Sequence, residues 1–111
     1  MLLKNATILE RPTPFENWLV GCLSITHEQA VAILSDPHFI ETNPLRTAGG
    51  AEDHWSFRFE CGTKVQIILG VPYDEARIFA DSPNTDDVIN YLQPLIGDRE
   101  FRISNPPMLI L

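Results

Sequence analysis

At 111 residues, with 44% hydrophobic and 21% charged side chains, the chain is sized for one domain around one core and falls outside the disordered and fibrous classes. Fifteen acidic residues against eight basic ones give a formal net charge of −7, a balance that repels a phosphate backbone and excludes nucleic acid as an expected direct partner. No apolar run approaches the roughly 18 to 20 residues that cross a bilayer, and the start, Met1-Leu2-Leu3-Lys4-Asn5, lacks a basic region ahead of an apolar stretch, so neither a membrane span nor an export signal is expected.

Taken in chain order, residues 2–9 open with an apolar pair and return to Ile8-Leu9, which predicts a short strand before Arg11-Pro12-Thr13-Pro14 interrupts regular structure by removing two amide donors. The following segment carries Phe15, Trp18, Leu19, Val20, Leu23 and Ile25 at a mixed period, which marks core residues but leaves helix and strand both open. Thr26-His27-Glu28-Gln29 fits a capping box, so a helix is predicted over residues 27–35, with Ala30, Val31, Ile33 and Leu34 as its apolar face and Asp36-Pro37 as its stop. Residues 38–47 read as irregular, and Ala48-Gly49-Gly50-Ala51-Glu52-Asp53 reads as a mobile connecting loop. Beyond it Trp55, Phe57, Phe59 and Cys61 alternate with His54, Ser56, Arg58 and Glu60, the period of a strand with one buried face. Gly62-Thr63 predicts a two-residue type II′ hairpin into a second strand, residues 64–69, and Ala76-Arg77-Ile78-Phe79-Ala80 a third strand of the same antiparallel meander. Ser82-Pro83 starts a second helix, with Asp86 and Asp87 at the positive end of its dipole, Val88, Ile89 and Leu92 facing inward, and Pro94 stopping or kinking it. Phe101-Arg102-Ile103 predicts a final edge strand. The apolar end, Met108, Leu109, Ile110 and Leu111, must dock on the core or meet another chain, so pairing of two copies through it is a candidate contact.

These elements add up to an α+β fold: an antiparallel sheet of three to five strands with two helices packed on one face, in a single domain spanning residues 1–111. Cys22 and Cys61 follow neither CxxC nor a zinc spacing, which predicts two reduced thiols in a cytoplasmic protein, although a disulfide between them stays open. His27-Glu28 lacks the second histidine of HExxH, none of the five serines sits in GxSxG, and Gly49-Gly50 is neither a dinucleotide nor a phosphate-binding loop; no cofactor and no catalytic residue is expected. Glu52, Asp53, His54 and Trp55 are the candidates for a metal or small-molecule pocket. Adjacent strand residues point to opposite faces, however, which favours a solvated loop end over a single centre. His38 reads as a turn or surface histidine without a partner. Trp18, Trp55, Phe57 and Phe59 read as core packing, with a pocket lining as the competing assignment.

Charge is the remaining signal. Asp74, Glu75, Asp81, Asp86 and Asp87 fall in one stretch, and the last three exceed what helix capping needs; surplus carboxylates suit a face that docks on a basic protein. In size, acidity and lack of catalytic apparatus the chain resembles the small bacterial immunity proteins that neutralise toxins acting in the cytosol. The resemblance implies a non-enzymatic inhibitor that blocks a basic partner through those five acids. The alternative is a small-molecule or metal-binding domain, or an enzyme, with its pocket near Glu52 and Trp55.

Overall fold

The computed structural model describes residues 6–8, 17–42, 51–71, 74–82 and 85–110. The alternation that begins before Trp55 builds β4 (Ala51–Phe59), which pairs antiparallel with β5 (Lys64–Val71), and β5 pairs antiparallel with β6 (Glu75–Ala80). This is the meander expected from sequence. The turn between β4 and β5 is longer than expected: the Gly62 N–H donates to the Phe59 carbonyl, and the Phe59 N–H donates to the Thr63 carbonyl. Gly62 takes φ +93°, so this is a three-residue loop ending on a glycine in positive φ rather than a two-residue type II′ turn.

Around the meander the sheet is larger than three to five strands. β1 (Ala6–Ile8) and β3 (Phe39–Thr42) both pair with β4, and β2 (Asn17–Ser24) lies between β6 and β7 (Phe101–Ile110). Among the described residues the sheet thus has seven strands, all pairings antiparallel, in the order β1-β4-β5-β6-β2-β7 with β3 beside β4. β1 falls inside the strand expected over residues 2–9, and β7 starts at the expected edge strand 101–103; the strands not expected are β2 and β3. β3 has four residues, too few to display a period. β2 carries a register shift between Leu19 and Gly21 in both of its ladders, so Val20 and Leu23, three apart, are both fully buried; a bulge of this kind produces a mixed period. β7 runs through Pro106-Pro107 because residues 104–107 have no partner opposite them in β2: the ladder steps from Ile103 to Met108, so the missing N–H groups cost it no bond. The backbone of residues 108–110 is part of that strand, opposite residues 17–19.

α1 (His27–Leu34) starts as expected: the Gln29 N–H donates to Thr26 Oγ1 at 3.2 Å, and the Thr26 N–H donates to Gln29 Oε1 at 3.1 Å. It stops one residue early, with Ser35 as its C-cap at φ +67°. α2 (Thr85–Tyr91) is the second expected helix, and a third, α3 (Gln93–Ile96), follows at once. Pro94 ends α2 and is tolerated in the first turn of α3, where its missing N–H has no helical acceptor to lose. The expected Arg11-Pro12-Thr13-Pro14 break, the Pro83 helix start and residues 48–50 of the expected loop lie outside the described residues.

One core joins the helices to one face of the sheet. Ala30, Ile33 and Leu34 of α1, Val88 of α2, Leu92, and Leu95 and Ile96 of α3 meet Trp55, Phe57 and Phe59 of β4, Val65, Ile67 and Leu69 of β5, and Ala76, Ile78 and Ala80 of β6. Trp55, Phe57 and Phe59 are therefore core residues, and Trp55 also donates from Nε1 to the Ser35 carbonyl at 3.0 Å, tying β4 to the end of α1. No helix of the described residues is long and apolar enough to cross a membrane.

At Gly21 the sheet closes tightly. A Cβ there would stand 2.5 Å from the Arg102 carbonyl oxygen and 2.8 Å from the Phe101 ring, so β7 approaches β2 only because the side chain is missing. Gly21→Ala is expected to cost about 1–3 kcal/mol by overpacking, read as a lowered urea midpoint; an unchanged midpoint would show that the two strands separate freely.

Candidate functional site

The period of two in β4 sends Glu52, His54 and Ser56 to the face opposite the helices. Such a row of polar residues ordinarily meets water, yet Glu52 is 1% exposed, His54 5% and Ser56 1%. The solvated loop end expected for Glu52, Asp53 and His54 is therefore corrected: all three are buried within a strand. β4 begins at Ala51, so these residues have β3 on one side and β5 on the other, with Glu52 opposite Glu41 and Gly70, and His54 opposite Phe39 and Ile68.

Burial forces these groups to find partners. Arg77 Nη2, from β6, donates to Glu52 Oε2 at 2.9 Å; β5 places Gly70 opposite Glu52, with no side chain to stand in the way of the guanidinium. His54 lies between two groups, with Nε2 3.8 Å from Glu52 Oε1 and Nδ1 3.3 Å from Gln66 Nε2. With the Gln66 amide donating to Nδ1, the imidazole proton sits on Nε2 and faces the carboxylate. The Phe39 ring meets His54 edge-on at 5.5 Å, and the Arg77 guanidinium lies 5.9 Å from the Phe79 ring centroid. Ser56 Oγ meets no hydrogen-bond partner among the described residues. The arrangement sets the Glu52 carboxylate between the Arg77 guanidinium and the His54 imidazole.

Asp53 points the other way, as the alternation requires, and its Oδ2 lies 2.5 Å from His27 Nδ1 in the first turn of α1. The expectation that Glu52, Asp53 and His54 do not serve one centre thus holds in the geometry. Among the described residues no group of three or more His, Cys, Asp or Glu is placed to hold a metal ion. His38, expected to lack a partner, has two: its N–H donates to the His54 carbonyl at 2.8 Å, and its Nδ1 accepts from the Ser56 N–H at 3.0 Å. Its ring meets Phe57 edge-on at 5.1 Å, and burial pushes its imidazole below the ordinary value.

The five acids do not come together. Asp74, exposed at φ +50°, and Glu75, which accepts from Arg102 Nη2 at 2.7 Å, stand at the start of β6. Asp81 follows the other end of β6, where its Oδ1 accepts from the Lys64 N–H at 3.0 Å. A six-residue strand separates the two groups by about 20 Å. Exposed Asp86 and Asp87 lie in the first turn of α2. Both cysteines are free thiols: burial raises Cys22, whereas hydrogen bonding to Thr63 lowers exposed Cys61.

The partners of Glu52, Asp53 and His54 are Arg77, His27 and Gln66; sequence reasoning did not single out Gln66 or Arg77, and weighed His27 only at the helix start and against HExxH. The signal for Arg77 lay in its strand: inward Ile78 fixes Arg77 on the face of Glu52. Comparison with protein-family models, with curated proteins and with solved structures finds no match.

Arg77→Met keeps the aliphatic stem and strands the Glu52 charge. Breaking a fully buried pair costs ~3–5 kcal/mol; with the Arg77 side chain 31% exposed, a loss of about 2–3 kcal/mol is expected, discounted for solvent screening. Adding Glu52→Gln should restore part of it in urea unfolding, and no restoration would mean that the pair does not couple.

Proposed function

We propose that the chain is a small acidic binding protein that blocks a basic protein partner, an inhibitor of the kind typified by toxin-immunity proteins. The observation that supports this reading is the grouping of Asp81, Asp86 and Asp87, exposed where β6 gives way to α2. Asp81 is engaged as a backbone acceptor for Lys64, which holds it in place, and a helix start gains from one or two nearby carboxylates. A rigid, anionic corner raises the encounter rate with a cationic surface and rejects anionic competitors. Asp74 and Glu75, at the far end of β6 and with Glu75 engaged by Arg102, form a separate, weaker candidate. Two unpaired thiols suit a reducing compartment such as the cytoplasm. A second copy adding to the outer edge of β7 is the form that pairing through residues 108–111 would take.

Affinity capture at low salt from the native cell, followed by binding kinetics with the recovered partner, tests the reading. The expected partner is basic, and Asp81→Asn with Asp86→Asn and Asp87→Asn should lower the association rate roughly tenfold or more and flatten its salt dependence. Asp74→Asn with Glu75→Gln should act more weakly. Recovery of no basic protein, or binding indifferent to the triple change, overturns it.

The buried Glu52, His54 and Arg77 cluster favours a second reading, a small polar ligand held on that face of β4. Native mass spectrometry after gentle purification decides it: a stoichiometric adduct lost in Glu52→Gln supports a ligand site, and a bare chain mass counts against one.

A further inference from the structure

The outer edge of β4 is covered by two short strands in tandem. β3 pairs with residues 51–54 and β1 with residues 57–59. Trp55 and Ser56 fall in the gap between them. His38 fills that gap with a single residue: its own N–H donates to the His54 carbonyl, and its Nδ1 accepts the Ser56 N–H at 3.0 Å. A backbone carbonyl accepts at any pH, but an imidazole nitrogen accepts only while its lone pair is free of a proton. The edge therefore has a hydrogen bond that depends on pH, at the residue where β3 begins.

β3 is suited to leave. It has four residues, its pairing is with β4, and its two large apolar side chains are poorly covered, Phe39 at 43% and Ile40 at 53% exposed. Few buried apolar contacts place an element at the low end of local stability. Among the described residues no carboxylate is paired with His38. Asp36, in the same turn, is exposed; from β4, the Asp53 carboxylate is taken up by His27 of α1, and the His54 side chain lies toward Glu52 and Gln66. The ring that faces His38 is Phe57. Among the described residues Nε2 is buried without a hydrogen-bond partner.

We propose that His38 is a proton-operated latch: protonation of its imidazole frees the Ser56 N–H and detaches β3 from β4. The sign follows from the environment. Burial holds the His38 imidazole below its ordinary value, so its contribution is complete above the ordinary histidine range and is lost as pH falls through that range toward the lowered value.

Amide hydrogen exchange on the full chain between pH 8 and 5, corrected for intrinsic rates, tests the latch. Protection of the Ser56 amide and of the β3 amides should fall roughly tenfold on acidification, while that of Ile67 in β5 stays level. By NMR, the midpoint of the Ser56 loss should coincide with the titration of the His38 ring. In His38→Asn the side-chain oxygen accepts at every pH, so protection should no longer respond; in His38→Ala it should be low throughout, and His27→Gln should keep the wild-type profile. A flat wild-type profile, a midpoint that follows His27 or His54, or a pH response that survives in His38→Asn overturns the proposal.

Discussion

Between Glu52 and Phe57, β4 shows almost nothing to water. Strands flank it on both edges, with His38 at the gap between β1 and β3, and both of its faces are covered, so its polar groups turn to partners within the protein, Ser56 Oγ excepted among the described residues. That constraint organises the rest. On the helix side it recruits His27 for Asp53 and the Ser35 carbonyl for the Trp55 indole, which holds α1 at both of its ends. On the other side it draws Arg77 from β6 and Gln66 from β5 into one connected set with Glu52 and His54. At the edge it turns a histidine side chain into a substitute for a missing strand residue. All three histidines of the chain thus bear on residues 53–56 of this strand.

Much of the fold was legible wherever a period ran long enough to be seen. Thr26 and Gln29 announced α1 because a capping box is a local, reciprocal contact, and the alternation from His54 onward announced the meander of β4, β5 and β6 but not the register of its first turn. Legibility ended where the chain breaks its own period. The register shift at Gly21 hid β2, and the shortness of β3 left it without a repeat to count. β7 was legible only at residues 101–103, because its ladder with β2 skips residues 104–107 before resuming at Met108.

The candidate sites divide along the same line. That Glu52 and His54 share a face, and that Asp53 does not, is contained in the period of two. That the face is buried is not, because polar residues at alternate positions look the same whether water or protein covers them. Arg77 becomes visible as a partner only once β5 has set the register between β4 and β6. The acidic stretch misled in the opposite direction: residues close in sequence stand at opposite ends of an extended strand. For the proposed docking role, this narrows the useful charge to Asp81, Asp86 and Asp87. Of these, Asp81 is held by the Lys64 N–H, which reduces its ordering cost in an encounter.

The irregularity in β2 has a consequence for how the chain tolerates change in length. Toward β6 the extra residue is β2's own, with Leu19 to Gly21 set against Phe79 to Ile78, whereas toward β7 the extra residues belong to β7, between Ile103 and Met108. Excising one amino acid there would straighten the segment and turn Leu23 from the interior toward the opposite side, exchanging the roles of half the strand at once. Spacing along this stretch is accordingly held as firmly as side-chain identity.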